Sequence, residues 1–217
     1  CDMQFVSWVL SQFSTIDQLK DALDEIDLVT LNNKIGAVHW RIAEPNGHMV
    51  VLEIVGGVPH FYENTLGVLT NAPGFQWHMT NLNNYVNLQA GSAPDNTIAK
   101  GITLKALGHG SGMLGLPGDF TSPSRFVPAA FYQTTAPVLP TAFETVVQAF
   151  HILNNFDIPV GVESAKGKIP EGLPSATQVT TSTDQTNRKF YYRTAWNSTI
   201  RCIDLGSIDF RTVEYLS

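Results

Sequence analysis

Asn71, Arg125 and Cys1 are the residues whose types and settings could do chemistry. The stretch "VLTNAPGFQWHMTNLNNY", residues 68–85, starts as an apolar strand, stops on Asn71 and turns through Ala72-Pro73-Gly74. A carboxamide held rigid there could aim an N–H at a carbonyl oxygen that becomes negative as an amide is cleaved. An ordinary Asx turn would place the same residue at the same point. Arg125 stands between Pro123 and the apolar pair Phe126-Val127, where a guanidinium calls for a carboxylate or an anion formed in a reaction. Cys1 sets a thiol beside an α-amine, whose unperturbed pKa of ~8 lets it serve as base for its own nucleophile. The other reading of Cys1 is that residue 1 is merely where the chain starts.

Other candidates read as structural. "GHGSGMLGLPGD" is dense in glycine, but no Lys-Ser or Lys-Thr follows it, so it is no phosphate loop, and Ser111 lacks the glycines two positions to either side that a nucleophile elbow has. The six histidines show no HExxH or HxH pairing and are read as satisfied structural residues. Asp119, just ahead of a helix, is read first as a capping carboxylate and second as a catalytic one. Cys202, in the apolar run "TIRCIDL", is read as a buried core thiol. Two cysteines without CxxC or Cys/His spacing give neither a disulfide scaffold nor a zinc site. No metal or cofactor motif is found.

The elements that must position these residues follow from hydrophobic period. Met3 to Phe13 is expected to form a buried helix, and "STIDQLKDALDEI" a second one capped by Ser14 or Thr15, with Ile16, Leu19, Leu23 and Ile26 on one stripe. "AVHWRIA", "MVVLEIV", "VPHFYE" and "LGVLT" are expected to form four strands joined by short turns, one of them Gly56-Gly57. Gln89 to Gly118 has little periodicity, and a loop of that length inside a compact domain calls for a task such as binding or subunit contact. Helices are expected over Phe126–Tyr132 and Phe143–Asn154. "SATQVTTSTD", "RKFYYRTAW", "TIRCIDL" and "FRTVEYL" are the candidate closing strands. Clustered rather than alternating elements argue for an α+β fold of antiparallel sheets covered by helices, in one domain over residues 1–217.

Composition narrows the function. The chain has 217 residues, a formal net charge of -6 and 13 scattered Lys and Arg, so no basic stripe is offered to nucleic acid. No apolar run reaches the roughly 18 to 20 residues of a membrane crossing. Compartment is not fixed by these features.

Four stretches, "VLTNAPGFQWHMTNLNNY", "GLPGDFTSPSRF", "AFHILNNFDIPVGV" and "YYRTAWNSTIRCIDL", resemble the choloylglycine hydrolases and penicillin V acylases, the linear-amide branch of the N-terminal nucleophile hydrolases. They occur in family order and span most of the chain. The resemblance implies an αββα sandwich, a bacterial enzyme of cytoplasm or periplasm, no metal or organic cofactor, and hydrolysis of a small-molecule amide through a cysteine thioester. It assigns Asn71 to the oxyanion hole, Arg125 to the surroundings of the nucleophile, Cys1 by position to the nucleophile itself, and residues 89–118 to homotetramer assembly. Conjugated bile salts are the expected substrates, with penicillin V or another N-acyl amide as the alternative. The resemblance departs at the start: the strands and the supporting arginine and aspartate that follow the family's cysteine are not recognisable after Cys1. The sandwich is therefore expected to be incomplete on its N-terminal side, and a non-catalytic piece that keeps binding and assembly surfaces is the reading from another class.

Overall fold

The computed structural model describes residues 1–23, 25–26, 28–29, 38–164 and 175–212. By its internal contacts the chain divides into two compact units, Cys1–Thr135 and Ala136–Ser217.

The first unit is built on a strand buried from both sides. "MVVLEIV" is almost continuously apolar, the pattern of a strand covered on both faces, and it forms the middle strand β2 (Met49–Val55) between β1 (His39–Ala43) and β3 (Val58–Glu63). Both pairings are antiparallel. The β2–β3 turn places Gly56 and Gly57 at φ of 61° and 84°, left-handed at both centres as a tight hairpin requires.

Side chains alternate across the sheet, and each face has its own helical layer. Leu52, with Trp40, Ile42, Ile54 and Phe61, packs against Phe5, Leu19 and Leu23 of α1 (Asp2–Gln12) and α2 (Ile16–Leu23). Val51 and Tyr62 point the other way, onto Phe75 of α3 (Phe75–Asn81) and Phe126 of α4 (Ser122–Thr135). α1 is not buried all round, as its apolar content suggested. Phe5, Trp8 and Val9 face the sheet, while Met3, Val6 and Leu10 are exposed. Thr15 caps α2 by accepting from the Gln18 N–H, and Glu44 accepts from the Ile16 N–H at 2.6 Å, a bond that holds the Glu44 carboxyl below its ordinary pKa. Ile26 lies beyond α2 and is exposed.

The fourth strand expected at "LGVLT" is absent; Leu66–Thr70 is irregular. The buried Asn64 side chain supplies what a neighbouring strand would have supplied. It donates to the Val68 carbonyl at 3.1 Å and accepts from the Gly67 N–H at 2.9 Å. The segment 89–118 is not structureless either. It carries an exposed hairpin of β4 (Asn96–Ala99) and β5 (Ile102–Leu104), and a 3-10 turn at Ser111–Met113.

In the second unit α5 (Ala142–Asn154) starts at a capping box, in which Thr141 accepts from the Glu144 N–H and Glu144 accepts in return. Its Val146 and Phe150 pack on Tyr191 of an antiparallel sheet ordered β6 (Val179–Asp184), β7 (Lys189–Thr194), β8 (Asn197–Asp204). Phe143, expected on the packed side of α5, is exposed. Arg193 lies over the Phe150 ring and pairs with Asp157 at 2.6 Å. Cys202 is exposed and is not the core thiol expected: among the described residues β8 has a neighbour on one side only, and its residues 198–204 all lie open. It faces Tyr191 across the ladder, and burial, then the bond to Cys202, raise the phenol above its ordinary pKa. Most of "FRTVEYL" lies outside the described residues.

Helices gathered around antiparallel sheets meet the α+β class expected. No helix among the described residues is long and apolar enough to cross a membrane.

Candidate active site

Asn71 and Arg125 are brought together across 54 residues of chain. The irregular segment shaped by Asn64 delivers Asn71 to the entrance of α3, where Ala72-Pro73, joined by a cis peptide bond, and Gly74 turn the chain into the helix. Gly74 sits tight against the sheet: a Cβ there would fall 2.9 Å from Glu53 Oε2. The same carboxylate accepts from the Phe75 N–H at 2.8 Å, placing a negative group at the donor end of α3.

Arg125 lies in the first turns of α4, whose entrance is tied by Asp119. Its carboxylate accepts from the Thr121 N–H at 2.9 Å and from the Ser124 hydroxyl at 2.7 Å. The Thr121 and Ser124 side chains, then the Thr121 N–H, hold the Asp119 carboxyl at a pKa of about 2. Asp119 thus closes the turn ahead of α4 rather than capping it as read from the sequence, because the N–H it accepts from belongs to Thr121, before the first helical residue Ser122. The helix thus enters in a fixed pose, and Phe126, fully buried, pins its next residue into the core.

The guanidinium spans two acceptors. Nε donates to the Phe120 carbonyl at 2.9 Å, and Nη2 donates to Asn71 Oδ1 at 2.6 Å. A guanidinium carries donors only, so it fixes which way the Asn71 amide points: oxygen toward Arg125, NH2 turned away from it. The Asn71 side chain therefore presents N–H donors in a set direction. The carboxylate that sequence reasoning sought for Arg125 is replaced by two neutral oxygens. Among the described residues Arg125 enters no ion pair, so its positive charge is available to an anion formed beside it.

Sequence reasoning missed the groups behind Asn71. The Asn71 carbonyl accepts from Ser122 Oγ at 2.6 Å and from His78 Nε2 at 2.9 Å. Thr70 closes the group by donating to the Ser122 carbonyl at 3.2 Å. His78 is 0% exposed and stacked on the Phe126 ring, with centroids 4.6 Å apart and planes within 9°. Its Nδ1 is buried and finds no partner among the described residues. Leaving such an acceptor unpaired costs about 1–3 kcal/mol. The spacing of His78 from Asn71 and the serine ahead of Arg125 were visible in "TNAPGFQWH" and "SPSRF", but nothing in the residue types alone marked them.

Cys1 is not brought to this pair. It precedes α1, in the helical layer on the opposite face of the sheet, and its thiol lies 3.5 Å from Gln4 Oε1.

A loop asparagine turned by an arginine on a separate helix suits oxyanion stabilisation, and sequence comparison gives that arrangement a family. The sequence model of the linear amide C–N hydrolases of the choloylglycine hydrolase family matches residues 2–216. The chain belongs to the choloylglycine hydrolase family. Its relatives include the bile salt hydrolase/transferase of Clostridium perfringens, 34% identical over 206 residues, covering 93% of this chain and 61% of that protein. The bile salt hydrolase/transferase of Lactiplantibacillus plantarum is also 34% identical, covering 99% and 65%. Among solved structures, a variant of the conjugated bile acid hydrolase from Clostridium perfringens superposes with a TM-score of 0.78 at 32% identity, covering 95% of this chain and 62% of that one. Penicillin V acylase from Agrobacterium tumefaciens, at TM-score 0.70 and 18% identity over 95% and 56% of the two chains, shares the fold. The chain thus spans less than two thirds of the length of these choloylglycine hydrolase relatives, and the family match runs through both of its compact units.

Proposed function

We propose that this chain carries the oxyanion side of a linear amide hydrolase acting on conjugated bile salts. The observation that supports it best is the 2.6 Å bond from Arg125 to Asn71 Oδ1, which leaves the Asn71 NH2 aimed as a donor. In the reaction a cysteine thiolate attacks the amide carbon, and the carbonyl π electrons move onto oxygen. The resulting oxyanion is met by an N–H of Asn71, while the charge of Arg125 supports thiolate and oxyanion. Collapse expels glycine or taurine, which takes up a proton. Water then cleaves the thioester, releasing the bile acid and restoring the thiol. Relatives named bile salt hydrolase at 34% identity favour the steroid amide over penicillin V.

The reaction also needs a nucleophile. Cys1 is the thiol that the sequence offers for it, and its place beyond the opposite face of the sheet favours a second reading: a chain that binds and assembles but does not turn over substrate by itself. Incubation of the chain with taurocholate and with penicillin V, beside Cys1→Ser and Asn71→Ala variants, separates these. Taurine release that Asn71→Ala abolishes supports the hydrolase, and its survival in Cys1→Ser removes Cys1 from the reaction. Cleavage of penicillin V alone replaces the substrate. Turnover of neither leaves the binding reading.

Assembly fits the exposed hairpin. Ile98, Ile102 and Leu104 lie open on β4 and β5, and Leu107 beside them is 99% exposed. Apolar side chains concentrated on one projecting hairpin are the surface expected of subunit contacts, and we assign homotetramer formation to this element.

A further inference from the structure

We infer that His78, backed by Ser122, is a positioning residue that holds the Asn71 peptide so that its carboxamide stays aimed. This rests on the amide hydrolase reading above. The Asn71 carbonyl can only accept, so the His78 nitrogen 2.9 Å from it, Nε2, carries the proton. Nδ1, the other ring nitrogen, is the buried polar atom without a partner among the described residues. A leucine would fill the same apolar slot against Phe126 without that cost, so packing alone does not account for an imidazole here. What the imidazole adds is the Nε2–H bond to Asn71.

Two helices grip Asn71 from opposite ends. α4 supplies Ser122, which donates to its main-chain carbonyl at 2.6 Å, and Arg125, which donates to its side-chain oxygen at 2.6 Å. α3 supplies His78 on the same carbonyl. Arg125 alone would fix one end of the side chain and leave the peptide plane free to turn beneath it. The second grip fixes that plane, and the stack on Phe126 fixes the ring that provides it. A donor displaced by about 1 Å loses much of its effect on a transition state, up to 100-fold in rate.

The test uses the whole chain with His78→Leu, His78→Gln, Ser122→Ala and Ser122→Thr. Glutamine can put an N–H near the position of Nε2, and threonine keeps the hydroxyl. His78→Leu is expected to lower kcat by about 10- to 100-fold with KM changed less than about 2-fold, and His78→Gln to recover most of that loss. Ser122→Ala and Ser122→Thr should show the same contrast, which carries the test where His78→Leu does not fold. A His78→Leu enzyme with lowered Tm and unaltered kcat, or a glutamine variant as impaired as the leucine one, overturns the inference. If the unmodified chain cleaves no linear amide, the proposed function fails, and the Asn71 side-chain NH2 signals in nitrogen-15 NMR decide the positioning role. Those signals, assigned by their loss in Asn71→Ala, are expected to be sharp in the unmodified chain and in His78→Gln and broadened in His78→Leu. Equal sharpness in all three refutes the role.

Discussion

The Glu53 carboxylate and the Phe75 N–H meet at 2.8 Å, joining the central strand of the first sheet to the first residue of α3. The same side chain has an oxygen 3.3 Å from His39 Nδ1 on the neighbouring strand. Glu53 therefore sets where α3 begins, and with it the short turn that carries Asn71. An acidic residue inside "MVVLEIV" is what links the sheet to the site.

Removing that carboxylate should loosen the turn before it harms the sheet. Glu53→Ala leaves the Phe75 N–H without its acceptor, and we expect a loss of about 1–3 kcal/mol in urea unfolding. Gly74→Ala attacks the same contact from the other side, because its Cβ would press on Glu53 Oε2. Both variants should lower kcat as well, through the displaced Asn71. Stability equal to that of the unmodified protein in both would show that the contact does not set the turn.

Arg125→Lys should behave as a loss, despite keeping the charge. A guanidinium reaches the Phe120 carbonyl and Asn71 Oδ1 together, and an ammonium lacks the planar fork that does so. The expected outcome is a fall in kcat approaching that of Asn71→Ala, for which roughly 2.7–4 kcal/mol of transition-state stabilisation would be lost. A lysine variant with normal turnover would mean that charge alone matters at this position and that the orientation of Asn71 does not.

Period and punctuation made the helices and hairpins legible. The stripe Ile16, Leu19, Leu23 and the glycine pair at 56–57 each carry their structure locally, within a few residues. Arg125 was legible as a candidate because a guanidinium is hard to satisfy beside Phe126 and Val127, whereas Asn71 read equally as an Asx turn until the resemblance assigned it to the oxyanion hole. The failures are long-range. "LGVLT" has the composition of a strand, yet Asn64 satisfies its backbone from within the turn. Cys202 sits in an apolar run, but whether a strand is central or at an edge is decided by its partners. His78 and Ser122 are 44 residues apart, and only the packing of α3 on α4 sets both against the Asn71 carbonyl.

Asn64 offers a direct test of that account. It is 1% exposed, and its amide satisfies one main-chain donor and one main-chain acceptor of its own turn. Asn64→Ala leaves the Val68 carbonyl without its side-chain donor, while the Gly67 N–H keeps the main-chain carbonyl of residue 64 at 3.1 Å, and a loss of about 1–3 kcal/mol is expected. Asn64→Asp keeps the acceptor for Gly67 but turns no N–H toward Val68, so it should fall between the two. Chemical denaturation of the three proteins measures the order, and an alanine variant as stable as the parent would refute the role.

The hairpin predicts oligomeric state. Ile102→Asp with Leu104→Asp places two charges on side chains that lie open on β5. The folded subunit should tolerate them, with an unchanged circular dichroism spectrum, while the assembled species gives way to a smaller one in sedimentation velocity. Retention of the larger species would place the subunit contacts elsewhere.

Acid should release the entrance of α4 late. Asp119 is held at a pKa of about 2, below the ordinary carboxylate value of 3.8, by the Thr121 and Ser124 side chains and the Thr121 N–H. A carboxyl whose pKa is lowered on folding stabilises the folded state fully above the unfolded pKa. That contribution declines as pH falls from about 3.8 and is gone below about 2. Asp119→Asn has no such proton to gain. The Tm of the native protein should therefore exceed that of the variant by a constant margin above pH 5, and the margin should shrink from pH 4 to pH 2. The group is at the surface, so added salt should do little to bonds made by neighbouring hydroxyls, unlike an exposed ion pair. A margin that stays constant down to pH 2 would mean that Asp119 does not anchor the helix that presents Arg125.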